Sequence, residues 1–375
     1  MDYQNENKTI MLIVTENCNL RCSYCYEENK TFRMMDFKTA KSVIDKEFAD
    51  DSTYRNGEIE LFGGEAFLNF DLIKEIYDYV DSTYPNITFS TTTNGTLIHS
   101  DLQDWLYERR KKFLCTLSLD GPEQVHDKNR VFHDGTGSFN SIDFSFFRET
   151  WPGCSVKMTI SPDSISNLFE SVVFTEELGF DCMATFASGV KWNLSENLDD
   201  LVRNLSGLAK RYSDDPSLKI CRMLDLDLRY LFYPFDNDFR YCGAGVTKKC
   251  YDRNGNAYPC QGLSPLTIGA KASDYLNRDF KDFTLSEKNP CRLCRWVRLC
   301  RTCYAANFME TNDLEMNGHE MCLINRLCIL ASAKIQFARL MKKGAAFSDD
   351  EQMVLKAVSI IQDHIMDDAL EAAKR

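Results

Sequence analysis

Three cysteines, Cys18, Cys22 and Cys25, crowd into the stretch ENCNLRCSYCYEENK (residues 16–30) with spacing C-x3-C-x2-C, and the next cysteine is Cys115. Thiolates ligate metals and clusters. A structural zinc site would be closed by a fourth ligand. Three thiols with no fourth nearby suit a [4Fe–4S] cluster that keeps one iron for an outside ligand. A second crowd begins at Cys242, Cys250 and Cys260, and CRLCRWVRLCRTC then gives C-x2-C-x5-C-x2-C at Cys291, Cys294, Cys300 and Cys303, with Cys322 beyond. Sixteen cysteines against five histidines put all-thiolate sites ahead of mixed Cys/His zinc sites.

The compartment follows from what surrounds those thiols. The opening residues MDYQNENKT carry no apolar signal core, and no uninterrupted apolar run approaches the ~18–20 residues of a membrane span. The expectation is a cytoplasmic protein whose cysteines serve as ligands and do not form disulfides. A net charge of −12 argues against nucleic-acid binding, which asks for a basic face. At 375 residues the chain can form one large domain, or one of ~200–250 residues with a smaller companion.

Elements that alternate along the first half must position the first thiols. TIMLIVT (9–15), EIELF (58–62), ITFSTTT (87–93), FLCTLSL (113–119), SVKMTIS (155–161) and CMATFAS (182–188) read as strands. Helical patterns near 36–49, 70–80, 100–111, 138–149, 166–178 and 197–213 separate or follow them. Six strand–helix pairs with short links predict an α/β fold, a parallel sheet curled into a partial (β/α)6 barrel of TIM type. In FLCTLSLD, Thr116, Ser118 and Asp120 share one side and Cys115, Leu117 and Leu119 the other; Lys157, Thr159 and Ser161 repeat the polar side. Polar strand interiors predict a ligand cavity, with Asp120, Lys157 and Thr159 lining it and the functional end where the strands finish.

After about residue 215 the alternation stops, and the cysteine-rich stretch is too irregular to promise its own core, so bound metal is expected to stabilise it. The expected boundaries are a barrel over 1–225, a cluster domain over 226–330 and C-terminal helices over 331–375. Ser348 and Glu351 have capping-box spacing at the start of the last helix, which closes on Lys374 and Arg375 and should pack its apolar stripe on its own protein.

The first cysteine motif, placed directly after strand one with Tyr24 ahead of its last cysteine, resembles the radical S-adenosylmethionine (SAM) superfamily. The resemblance implies that the open iron binds SAM and that reduction yields a 5′-deoxyadenosyl radical, which removes a hydrogen atom from the substrate. Gly63, Gly64 and Glu65 in LFGGEAF resemble the family's motif for the SAM amino group, with Ala66 where proline is common. Thr93 and Asn94 end strand three. In SLDGPEQVHDKNR the resemblance implies Ser118 and Asp120 near the SAM ribose or carboxylate and Arg130 on the carboxylate.

The second cysteine region resembles the SPASM extension of these enzymes, with two auxiliary [4Fe–4S] clusters and three in all. By resemblance Cys242, Cys250, Cys260 and Cys303 hold one, and Cys291, Cys294, Cys300 and Cys322 the other, leaving no open iron. Where the family has three residues before the cysteine matching Cys303, this chain has two. Without Cys250, whose equivalent varies, the first auxiliary cluster could accept a substrate thiolate. Cys115, Cys154, Cys182, Cys221 and Cys328 are left as small buried hydrophobes.

SPASM relatives mostly act on peptides or proteins, and the layout is similar to the anaerobic sulfatase maturases. Those enzymes carry an aspartate base where this chain has Gln261, and an amide cannot take up a proton in that role. The expectation is therefore an oxidoreductase that matures a ribosomally made peptide through a thioether, carbon–carbon or carbon–oxygen link. A small-molecule dehydrogenase or epimerase and a sulfatase formylglycine maturase are the alternatives. A cluster-bearing electron carrier or zinc scaffold would have no use for the Gly-Gly-Glu carboxylate. The partners implied are a precursor peptide, a separate leader-binding protein and a flavodoxin- or ferredoxin-type reductant.

Overall fold

The computed structural model describes residues 8–49, 57–233, 240–281, 283, 285–287, 289–344 and 346–372. The strands are β1 (Lys8–Thr15), β2 (Gly57–Gly63), β3 (Thr88–Thr93), β4 (Phe113–Ser118), β5 (Ser155–Ile160), β6 (Asp181–Phe186), β7 (Lys248–Tyr251) and β8 (Ala257–Tyr258). The helices are α1 (Phe37–Phe48), α2 (Phe70–Thr83), α3 (Asp101–Arg109), α4 (Glu123–Asn129), α5 (Phe144–Thr150), α6 (Leu168–Glu177), α7 (Leu194–Asp214), the single turn α8 (Pro265–Ile268), α9 (Tyr304–Thr311), α10 (His319–Lys343) and α11 (Asp349–Ala372). The chain divides into two compact units, Met1–Lys157 with Cys242–Phe283, and Met158–Tyr241 with Thr284–Arg375.

In the first unit the strands run in the order β5-β4-β3-β2-β1-β7-β8. Pairing from β1 to β5 is parallel and in sequence order, with Ile10 beside Ile59, Ile59 beside Phe89, Phe89 beside Phe113, and Leu117 beside Val156. This is the parallel α/β sheet of a partial TIM-type barrel. One face is fully buried: Ile59, Leu61, Phe89, Phe113, Cys115, Leu117 and Val156. Its aromatic layer packs on α2 and α3, with Phe89 and Phe113 stacked at 5.7 Å and Trp105 edge-on to Phe113 at 5.5 Å. Such pairs add about 0.5–1.5 kcal/mol each beyond area burial. The opposite face carries Glu58, Glu60, Thr116 and Lys157, all half-exposed, as the strand alternation predicts.

Two features depart from the sequence reading. KKCY, with two lysines in four residues, forms β7 and extends the sheet along the other edge of β1, placing Cys250 beside Met11. Residues Glu123–Asn129 form α4, begun by Pro122, which donates no hydrogen bond and suits a helix start.

In the second unit β6 lies along the Met158–Ile160 end of β5, with Ala187 N donating to the Ile160 carbonyl at 2.8 Å. The cysteine-rich loop here packs into a core that it shares with the C-terminal helices. Trp296 and Leu299, from the cysteine loop, pack with Leu226, Leu228, Ile329, Ala357, Val358, Ile361 and Ile365. The apolar stripe of α11 is thus buried on its own protein. Ser348 and Glu351 form both bonds of the capping box; Lys374 and Arg375 lie outside the described residues. By length and mean hydropathy (1.3) α10 could cross a membrane, but 56% of that stretch is buried, packed on α7 and α11.

Candidate active site

The thiols at the end of β1 sit in a loop that the rest of the first unit grips on three sides. Leu20 and Phe132 form a bridge, Arg21 N donates to the Val131 carbonyl and Ser23 N to the Asn129 carbonyl, each at 2.9 Å. His133 Nε2 donates to the Cys18 carbonyl at 2.9 Å. The end of β3 holds a second side, where Asn94 Nδ2 donates to Asn19 Oδ1 and Asn19 Nδ2 to Thr96 Oγ1, both at 2.8 Å. The third side is the end of β2. Gly64 N and Glu65 N donate to the Thr15 and Asn17 carbonyls at 3.3 and 2.9 Å.

That third contact explains the glycine pair. A Cβ on Gly63 would overlap the Thr15 carbonyl oxygen, and one on Gly64 would overlap the Asn17 carbonyl and lie 2.8 Å from Cys18 Cβ. The glycines let the strand end close against the cysteine loop, a local job the motif alone does not reveal.

Cys18 and Cys22 are raised to about 12 and 11, first by burial, with the neighbouring thiols adding to it. Buried thiols this basic become ligands when a cation offsets the thiolate charge. Lys30 Nζ, 2.8 Å from Cys25 Sγ, is one cation already aimed at the group. Three thiols and a lysine around one loop fit a cluster with an open iron. Among the described residues no three of His, Cys, Asp and Glu converge on a single metal ion; a cluster's thiolates each bind a different iron and stand further apart.

Glu65 is buried at the strand ends and its pKa is raised, burial outweighing its hydrogen bonds. Oε2 accepts from Asn94 N at 2.8 Å, and Oε1 from Thr93 Oγ1 at 2.9 Å and Phe67 N at 3.3 Å. A carboxylate offers about four lone-pair sites, so one is left for an ammonium. The structure thus gathers Glu65, Thr93 and Asn94 at one point, with Thr93 and Asn94 serving the carboxylate.

Asp120, Arg130 and Tyr24 are likewise together but turned on one another. Arg130 Nε and Nη2 donate to the two Asp120 oxygens at 3.0 and 3.2 Å. The Tyr24 hydroxyl donates to Asp120, and the guanidinium lies 5.4 Å from the Tyr24 ring centroid. This buried hub fixes the cysteine loop through Tyr24. Ser118 is buried, one residue beyond Leu117 on the polar side of β4.

Sequence reasoning missed Tyr26, Glu27 and Lys30. Burial raises Glu27 to about 8, against the pull of Lys30 and Lys157. Gln261 is hydrogen-bonded to Tyr26, and Asn29 N and Nδ2 donate to the Leu266 and Thr267 carbonyls at 3.1 and 3.0 Å. The segment after Cys260 is therefore tied to the cysteine loop. Cys250 and Cys260 lie within electrostatic reach of each other. Gly245 N donates to the Pro259 carbonyl at 2.9 Å, bringing the turn that follows Cys242 to the same place.

In the second unit Cys291, Cys294, Cys300 and Cys322 converge. Burial raises Cys300 well above the ordinary thiol range, and the other three thiols raise it further. Arg326 pulls down Cys291, Cys294 and Cys300. Cys303 is exposed at the start of α9. Cys115, Cys154, Cys182, Cys221 and Cys328 are all buried, as expected of small hydrophobes.

Comparison with known proteins now adds to this geometry. Residues 8–140 match the family of 4Fe-4S single cluster domains. The chain is 33% identical over 326 residues to a cysteine-type anaerobic sulfatase-maturating enzyme of Clostridium novyi, covering 77% of this chain and 85% of that one. A 40% identical stretch of 133 residues in an uncharacterized protein of Methanocaldococcus jannaschii covers 35% of this chain and 44% of that one. The fold matches native anSMEcpe with bound AdoMet at TM-score 0.68 and 20% identity, over 89% and 99% of the two chains. It matches Streptococcus suis SuiB bound to precursor peptide SuiA at TM-score 0.54 and 17% identity, over 82% and 74%. With a relative so similar over most of both chains, this protein belongs to the radical SAM enzymes of the anaerobic sulfatase-maturating family.

Proposed function

We propose that this chain oxidises a peptide by radical chemistry and leaves a cross-link or an unsaturation. Cys18, Cys22 and Cys25 would hold the cluster that binds SAM. Bound there, cluster and SAM supply the radical that removes a hydrogen atom. Glu65 offers its remaining lone pair to the SAM ammonium, and Lys30 keeps a positive charge against Cys25. Asp120, Arg130 and Tyr24 take a positioning role in this reading and hold the loop in register with the strand ends. Ser118, Lys157 and Thr159 lie on the polar strand faces, where a substrate would enter. Cys242, Cys250 and Cys260 would supply thiolates to one auxiliary cluster, and Cys291, Cys294, Cys300 and Cys322 would hold the other. A precursor peptide, a leader-binding protein and a small reductant protein complete the set of partners.

The observation that carries the choice of reaction is Gln261. It follows Cys260 where a sulfatase maturase has its aspartate, and Tyr26 engages its amide. A neutral amide cannot accept the substrate's proton. The sulfatase reading keeps its own support in the 33% identity to a cysteine-type maturase. Incubation of the anaerobic holoenzyme with SAM and dithionite decides between them. One arm uses a cysteine-bearing sulfatase peptide and the other a small peptide encoded beside this gene. A neighbour-encoded peptide lighter by two hydrogens is the expected result, and an aldehyde on the sulfatase peptide would overturn it.

A further inference from the structure

In the second unit hydrogen-bond donors gather on the four converging thiols. Cys291 accepts from the Asn317 backbone N–H and the Tyr241 hydroxyl, and Cys294 from the Trp296 backbone N–H. Asn317 Nδ2 lies 3.8 Å from Cys300 Sγ. One further donor has no bond of its own. Arg326 stands four residues after Cys322 on α10, so the two share a helix face. A long helical side chain leans back over the preceding turn, which here carries Cys322. Arg326 is only 6% exposed, and its Nη1 is buried with no hydrogen-bond partner among the described residues. Glu310 and Glu315, two acids of the segment that leads into α10, are turned to other groups. Glu310 accepts from Gly318 N, and Glu315 from Ser286 N and Asn289 Nδ2.

A buried guanidinium is stable where negative charge faces it. Cys291, Cys294 and Cys300 all lie in the field of Arg326, and a four-thiolate cluster gains one more negative charge when it takes up an electron. Net charge and hydrogen bonds to the sulfurs set the potential at which it does so. We propose that Arg326 donates from Nη1 to a sulfur of the cluster held by Cys291, Cys294, Cys300 and Cys322, and that it raises the reduction potential of that cluster. The inference rests on the reading that those thiols hold a cluster. The electron comes from the peptide radical that the proposed reaction oxidises, and no bond is made or broken where it arrives. The guanidinium stays protonated throughout, so no proton follows the electron.

The test is an anaerobic redox titration followed by electron paramagnetic resonance on the full chain. Cys18/Cys22/Cys25→Ala in the background leaves only the auxiliary clusters to titrate. The step that disappears on adding Cys294→Ala belongs to the cluster beside Arg326. Arg326→Met removes the donor and the charge, and should weaken the hold on that electron about tenfold, a fall of about 59 mV for one electron. The other step should stay in place. Arg326→Gln keeps a donor and loses the charge; it should move the same step part of the way, which keeps the test open if Arg326→Met loses iron. Arg326→Lys restores the charge and should titrate close to the parent protein. An unchanged potential in Arg326→Met or Arg326→Gln protein with full iron would overturn the proposal. So would an equal shift of both steps, or an Arg326→Lys protein that titrates like Arg326→Met. A Cys294→Ala variant that keeps all its iron would instead overturn the cluster reading beneath it.

Discussion

Replacing Asp120 by Asn keeps the shape of the buried hub and removes its negative charge. Arg130 then faces an amide where it had a bidentate carboxylate partner at 3.0 and 3.2 Å, with its side chain 9% exposed. A buried cation that loses its counter-charge costs about 3–5 kcal/mol. For a unit of roughly 200 residues, each kcal/mol lowers Tm by about 2–4 °C, so Asp120→Asn should lower Tm by about 6–12 °C at the least. The hub reaches the cysteine loop through Tyr24, so iron retention should fall as well. Anaerobic scanning calorimetry and iron assay read both effects. The double variant Asp120→Leu/Arg130→Met should recover a large part of the loss, because no charge is then left unpaired. An Asp120→Asn protein within 2 °C of wild type and full in iron would refute this reasoning. So would a double variant worse than the single.

Gly64→Ala forces a methyl into the Asn17 carbonyl and should cost about 1–3 kcal/mol, read as a lower Tm with loss of loop-bound iron. His126 accepts from Asp120 N at Nδ1 (3.4 Å) with Nε2 on Ser138 Oγ (3.1 Å), and burial lowers its pKa to about 4. Its neutral form fits the fold, so the unfolded chain takes up the proton first, and stability should fall as pH drops from about 6.5 to about 4. The loss from this group is at most about 3 kcal/mol, and His126→Gln should flatten that part of the stability–pH curve. Lys30→Met removes the cation 2.8 Å from Cys25; redox titration should show the loop cluster harder to reduce by roughly 60 mV, the one-electron equivalent of about 1.4 kcal/mol.

The barrel strands were legible in the sequence because β1 is a continuous β-branched and apolar run and the strands that follow it largely alternate. Their inner and outer faces followed from the same alternation, as Cys115 and Leu117 against Thr116 show. β7 was not legible, since two lysines in four residues carry no strand pattern and only the open edge of β1 recruits them. The cysteine motif marked the site's centre, yet the roles of its neighbours depended on contacts across the chain. Asp120 and Arg130 are ten residues apart, but nothing local says that they pair with each other and with Tyr24. The glycine pair read as room for a ligand, and its close contact with Asn17 is a tertiary fact. The second unit's core escaped notice because Trp296 and Leu299 are scattered among arginines and cysteines.

The most direct test of the account is the iron and acid-labile sulfide content of anaerobically purified protein, wild type against Cys18/Cys22/Cys25→Ala. Three four-iron clusters predict about twelve irons with matching sulfide, falling to about eight in the variant. Zinc without sulfide in the wild type, or a variant that keeps every iron, would contradict it.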